Sequence, residues 1–243
     1  MVDKLETADG FTETLAEVNL LLHEAEEAAP GKPHANEQKF AVMNKSALLL
    51  LTGKFEAFLE GAAEDFLFAI NQVGAKGRNL PVRILAEHSV RAIREVEQKL
   101  NNGDIEAVRT TFVALGRYWI DLDPCANLNI PCKFNYGKHG EAEVTKLFKR
   151  IGIDDVFAQV AVADDTAELY EASAPPMLDV KGMVNSLTEI RNNILHQDAT
   201  PNLTTGSLWK QSAALQRFAT ALVAALQAVV DDVEQKLQAG GLA

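Results

Sequence analysis

At 243 residues, with nearly half of them hydrophobic and about a quarter charged, the chain has a globular balance and enough length to bury a large core. Its net charge of −11 excludes a protein that coats nucleic acid non-specifically, because phosphate binding rests on Lys and Arg. A small basic site on an acidic body stays open. Two cysteines, Cys125 and Cys132, exclude a disulfide framework.

The acidic start MVDKLETADGF lacks the basic and apolar runs of a signal peptide. The most apolar runs, ALLLLTGKF and ATALVAALQAVV, read as too short or too interrupted to span a bilayer. A cytoplasmic location without membrane contact is the expectation.

Helical periodicity dominates and period-2 alternation is almost absent. An acidic amphipathic helix is expected over about 11–28, closed by Ala29-Pro30-Gly31-Lys32-Pro33. A second is expected from about Phe40 to Val73. Its stripe of Leu48, Leu51, Phe55, Leu59, Phe66 and Ile70 recurs at three and four residues and ends at Gly74 and Gly77. Pro81 opens a third helix reaching about Leu100, and Asn101-Asn102-Gly103 stops it. A shorter helix follows to about Gly116.

Between about 117 and 140 the periodicity lapses. Two prolines, several Asn and unpatterned aromatics predict a long, partly ordered loop, a kind of segment that is often functional. Short helices are expected over Glu141–Ile151 and Asp154–Val162. Pro175-Pro176 then punctuates the entry to a helix over about Met177–Gln197. The last helix runs from about Ser207 to Leu237, with Leu215, Phe218, Leu222, Leu226, Val229 and Val233 as its stripe. The chain reads as one all-α domain over 1–243, two long antiparallel pairs packed as a bundle with inserted short helices.

The stretch EIRNNILH, Glu189–His196, carries the candidate chemistry. At 100° per residue, Met183, Leu187, Ile190 and Ile194 share one narrow sector that must face the core. Asn192 and His196 fall nearly opposite, with Lys181, Asn185 and Glu189. Arg191 lies between the faces, and its long side chain can swing to the polar one. The imidazole titrates near neutrality and can move a proton, while a guanidinium forks onto phosphate oxygens, so the pair suits phosphodiester chemistry. The same residues equally describe a solvated helix face, or a histidine that complements the macrodipole at a helix C-terminus.

IRNNILHQD resembles the R-x(4–6)-H motif of the HEPN superfamily. The segments LLLLTGKFEAFLEGAAEDFL, FNYGKHGEAEVTKLFKRIGI and LWKQSAALQRFATAL occur in the order of its RiboL-PSP-HEPN branch, so the similarity covers about Lys45 to Val230. The resemblance implies an all-α HEPN-like bundle that forms a homodimer, with the two motif helices facing across a shared groove. It also implies a metal-independent endoribonuclease acting on single-stranded RNA, as a toxin or antiviral effector restrained by an antitoxin or regulatory protein, with no cofactor. Carried onto this chain, Arg191 would stabilise the scissile phosphate and Asn192 would orient the site. His196 would serve as general acid or base while a ribose 2′-hydroxyl attacks phosphorus, leaving a cyclic phosphate and a 5′-hydroxyl. The superfamily also holds catalytically inactive members that bind nucleotides or partner proteins, which is the alternative.

Glu56, at the edge of the second helix's stripe where an acid could reach a neighbouring His or Arg, is a further catalytic candidate; the plain alternative is a boundary residue paired with Lys54 or a neighbouring chain. Two basic stretches could lead RNA toward a groove: Lys76, Arg78, Arg83, Arg91 and Arg94, and Lys133, Lys138, Lys146, Lys149 and Arg150, although solvated faces account for both equally well. Of the second, Lys138, Lys146, Lys149 and Arg150 are the RNA-binding candidates. Tyr118, Trp119, Phe134 and Tyr136 could stack unpaired bases or simply anchor the loop. Cys125, Cys132 and His139 are spaced seven apart, wider than usual zinc pairs, and read as buried thiols rather than a metal site.

Overall fold

The computed structural model describes residues 4–135, 140–164, 177–197 and 204–240. These residues form eight α-helices: α1 (Thr7–Glu27), α2 (Glu37–Val73), α3 (Val82–Asn101), α4 (Ile105–Trp119), α5 (Glu141–Arg150), α6 (Val156–Gln159), α7 (Val180–Gln197) and α8 (Thr205–Gly240). The all-α class expected from periodicity is what the chain adopts.

Local chemistry sets most of the ends. Asn36 starts α2, its side-chain oxygen accepting from the Lys39 amide at 2.9 Å. Gly74 ends that helix in the left-handed conformation at φ 60°, which a bare Cα permits without strain. Gly103, at φ 74°, turns the chain between α3 and α4, and Asp104 caps α4 through the Ala107 amide.

The centre is a three-helix arrangement of α1, α2 and α8, not two antiparallel pairs. Glu17 pairs with Lys54 and Glu24 with Lys39, so α1 and α2 run antiparallel. The Leu5 amide reaches Gln227 and the Trp209 indole reaches Glu26, so α8 is antiparallel to α1 as well, and therefore parallel to α2. Phe11 packs on Phe55 and Phe58, and Phe55 on Phe218, with ring centroids 5.0–6.2 Å apart. Leu48, Leu51, Leu59, Phe66 and Ile70 are all buried, each contributing about 2 kcal/mol of apolar transfer energy. Helix α7 lies against α2 and α8, while α3 and α4 form a separate hairpin whose principal partner is itself.

Three local expectations change. The helix expected over Asp154–Val162 is the single turn α6. Beyond it the chain is drawn out of helix, because the Val162 carbonyl accepts from the Leu178 amide and Ala163 bridges to Met177. In the irregular segment after α4, Leu128, Ile130 and Cys132 alternate into the core, a short period-2 pattern hidden among polar residues. Helix α8 is long and apolar enough to cross a bilayer by length and composition, unlike the shorter run read from sequence. Its Leu215, Phe218, Leu222, Leu226 and Val230 are packed into the bundle core.

Candidate functional site

Helix α7 begins after Asp179, whose carboxylate accepts from the Gly182 amide at 2.8 Å. Its buried residues are Val180, Val184, Leu187 and Ile194, while Met183 and Ile190 are only partly covered. The buried sector is thus rotated from the one expected, which omitted Val180 and Val184. On a regular helix Arg191 falls about 20° from each of those valines. It lies on the core-facing side, not between the faces.

What allows a cation there is Glu56. The two side chains are 20% and 21% exposed, and Arg191 Nη1 stands 3.7 Å from Glu56 Oε1. Lys54 is engaged elsewhere, 2.9 Å from Glu17, so Glu56 takes the reach toward Arg191 rather than the pairing with Lys54. Beside the pair, Thr52, Phe55 and Leu59 of α2 meet Val184, Leu187 and Thr188 of α7 around a cavity of about 20 Å³. That volume admits one water at most, so a nucleotide has no internal pocket here and any substrate must lie on the surface.

The polar side of α7 divides in two. Near its start, Asn185 Oδ1 accepts from the Glu141 amide at 3.1 Å and Lys181 sits 3.4 Å from Glu141, so α5 is hooked onto this half. Near its end, Asn192 is half-buried and His196 is exposed in the last turn, where a cation would also complement the helix terminus. Arg191 and His196 are five positions apart, which is about 140° around the helix and about 7.5 Å along it. The two side chains leave α7 in different directions.

The basic candidates have occupations of their own. Lys146 is 2.6 Å from Glu143, and Arg150 donates to the Pro131 and Lys133 carbonyls at 3.2 and 3.4 Å, fastening the irregular segment. Lys149 is exposed, and Lys138 lies outside the described residues. In the other stretch, Arg83 pairs with Glu87 and Arg91 with Glu95. The loop aromatics are anchored: the Trp119 indole donates to Ser89 Oγ, Tyr118 packs against the core, and the Phe134 amide donates to Glu60. Tyr136 and His139 lie outside the described residues. Burial pushes the Cys125 and Cys132 thiols up to about 11, leaving them protonated rather than available as thiolate ligands. Among the described residues no cluster of three metal-ligating side chains occurs.

Sequence reasoning placed Glu56 where an acid could reach a neighbouring His or Arg, without naming Arg191 as its partner, and it did not anticipate the clasp of Asn185 on α5. The available signal was the second apolar edge of α2, Thr52, Phe55 and Leu59, which predicts a helix packed beside Glu56. A groove of about 1030 Å³ lies elsewhere, lined by Leu5, Phe68 and Leu237 with Glu6, Asp65 and Glu234. Its carboxylates suit it poorly to a polyanion.

Comparison with curated proteins and with solved structures finds no match. A family model described as RiboL-PSP-HEPN matches residues 11–228, from the first turns of α1 to well inside α8. With most of its length under that match, the chain belongs to the RiboL-PSP-HEPN family.

Proposed function

We propose that the chain is a metal-independent endoribonuclease that cleaves single-stranded RNA, acting as a toxin or defence effector. The observation that carries this reading is the pairing of Glu56 with Arg191 on α7. It holds a guanidinium at the edge of the bundle, five residues before an exposed histidine. An anchored guanidinium and an imidazole able to move a proton, brought to one phosphate, are the minimum equipment for in-line cleavage by a ribose 2′-hydroxyl.

In the proposed reaction His196 takes the 2′-hydroxyl proton as the oxygen attacks phosphorus. The P–O5′ bond breaks, and the departing 5′-oxygen takes up a proton from water, while the protonated His196 returns its proton to solvent. Arg191 neutralises charge on the phosphorane, and Asn192 donates to a non-bridging oxygen. The 140° between Arg191 and His196 gives a reason for a shared groove. Two copies facing each other would bring the arginine of one toward the histidine of the other.

Wild type is expected to cleave single-stranded RNA in EDTA to cyclic-phosphate and 5′-hydroxyl ends, with Arg191→Ala and His196→Ala slower by about 100-fold or more. Equal cleavage by all three proteins, or by none, removes the catalytic assignment. One observation favours a second reading, a catalytically silent module that binds a partner protein: Glu56 already neutralises Arg191 on a chain of net charge −11. Such a module would lose partner binding when Asn192 or His196 is changed, without any motif-dependent cleavage.

A further inference from the structure

Helix α1 is shorter than the seat that holds it. It begins at Thr7, whose hydroxyl donates to Asp65 of α2, and just before it the Leu5 amide donates to Gln227 of α8. Both neighbours run on past those contacts, α2 by eight residues to Val73 and α8 by thirteen to Gly240. That leaves about 12 Å of α2 and about 20 Å of α8 beyond the start of α1. Among the described residues no third helix lies between them there.

The faces that hold α1 continue into this gap. On α2, Lys54 pairs with Glu17, and a Cβ at Gly61 would stand 3.4 Å from the Thr7 methyl. Phe68 and Gln72 fall within about 20° of Gly61, on the same line of the helix. On α8, Gln216 and Gln227 bond to Thr12 and Leu5 of the α1 segment, and Glu234 and Gln238 fall within about 40° of Gln216. These continuations line the groove of about 1030 Å³, where Phe68 is 65% exposed.

Charge at this end is one-sided. Among the described lining residues, Glu6, Asp65 and Glu234 are set against Lys4 as the one cation. Helices α3, α4, α5 and α7 each place a basic residue in the last turn, where it offsets the partial negative charge of the terminal carbonyls. Helices α2 and α8, which both end here, place none. Lys236, one turn from the end of α8, is paired with Asp232 at 2.6 Å.

We infer that this vacated seat docks a helical segment of a partner protein, about two turns long, that carries Lys or Arg beside apolar residues. Geometry selects a helix, because the walls are continuations of those that already hold one. Two turns of helix, about 11 Å long and about 10 Å across, take up about 850 Å³, which the groove can hold. Apolar side chains of the partner would cover Leu5, Phe68 and Leu237, and its cations would meet the carboxylates and the carbonyl ends of α2 and α8. A second copy of this chain, with net charge −11, is repelled from the same place. Glu56 lies about 140° around α2 from Gly61, so the seat faces away from Arg191 and the inference is independent of the ribonuclease reading.

The test is fluorescence polarisation with the full chain and a labelled helical peptide of about 14 residues, built from Leu, Ala and Lys with the lysines on one side. A peptide with Glu for each Lys is the comparison. The basic peptide is expected to bind with a Kd below about 100 µM, more weakly as salt is raised, and the acidic one at least about 30-fold more weakly. Phe68→Lys is expected to weaken binding about 30-fold with an unchanged circular dichroism spectrum, because the ring is exposed. Leu237→Lys reads the seat independently if that spectrum changes. Glu97→Lys, exposed on α3, alters charge outside the seat and should leave binding as it was. A wild-type chain that binds both peptides equally, or neither at about 1 mM, overturns the inference. So does tight binding by Phe68→Lys, or a loss in Glu97→Lys as large as in Phe68→Lys. Self-association abolished by Phe68→Lys would place a second copy in the seat and overturn it as well.

Discussion

Whether α2 holds Arg191 in place can be measured. At 3.7 Å the attraction between unit charges is about 4 kcal/mol at an effective dielectric near 20 and about 1 kcal/mol in bulk water. Each side chain keeps about a fifth of its exposure, so the pair lies between a surface bridge and a buried one. After the cost of partial dehydration, a net coupling of about 1–2 kcal/mol is expected. Glu56→Ala strands a guanidinium that cannot be deprotonated beside Leu187 and Ile194. It should cost about 2 kcal/mol, lowering Tm by about 4 °C for a chain of this length. The assay is a double-mutant cycle of Glu56→Ala, Arg191→Ala and the two combined, followed by urea unfolding. The coupling is the decisive quantity, because each single change also disturbs other neighbours. A coupling below about 0.3 kcal/mol, or a Glu56→Ala protein as stable as wild type, would refute the idea that the acid positions the arginine.

Glycine positions provide a matched pair of expectations. A Cβ at Gly77 would stand 2.5 Å from the Tyr118 carbonyl, which is backbone and cannot move aside, so Gly77→Ala should destabilise by about 2 kcal/mol or more in denaturant melts. Gly53, exposed inside α2, has nothing within 4 Å, and Gly53→Ala should stabilise by about 0.5–1 kcal/mol. His88 makes an acid-sensitive point. Burial pulls its pKa below 6.5, while its Nδ1 accepts from the Asn129 amide at 3.1 Å. Above 6.5 both folded and unfolded states hold it neutral. As pH falls through 6.5 the unfolded chain takes the proton first, so stability drops until the lower folded value is passed. His88→Asn keeps an acceptor without that proton, and its Tm should fall less than wild type between pH 7 and pH 5. Glu24 and Asp123, held down by Lys39 and Arg117, lose their contributions only at lower pH. Equal losses in both proteins would contradict the assignment.

Much of the backbone was legible from single residues, for local reasons. Asn36 and Asp104 stop orphan amides at helix starts, and Gly74 and Gly103 take positive φ where chains must turn. The stripes of α2 and α8 follow from 3.6-residue periodicity alone, because a helix that buries Leu51, Phe55 and Leu59 can do so on only one side. Local rules failed where a distant partner intervened. The bridge from Ala163 to Met177 cut α6 to one turn, and Asn71, whose side chain both donates to and accepts from the Leu128 backbone, pinned a segment that reads as loose.

For the candidate site, sequence by itself determined that Arg191, Asn192 and His196 share one helix, with Asn192 and His196 on its polar side and Arg191 read as lying between the faces. Periodicity says which residues lie together but not which neighbour covers them. The direction of Arg191 was decided by tertiary structure, because only the approach of α2 brings a carboxylate close enough to offset the cost of turning a cation inward. The same holds for the α3–α4 hairpin. Its heptad-spaced apolar residues are written in the chain, yet which of its stripes is buried and which is left bare depends on where the rest of the bundle ends.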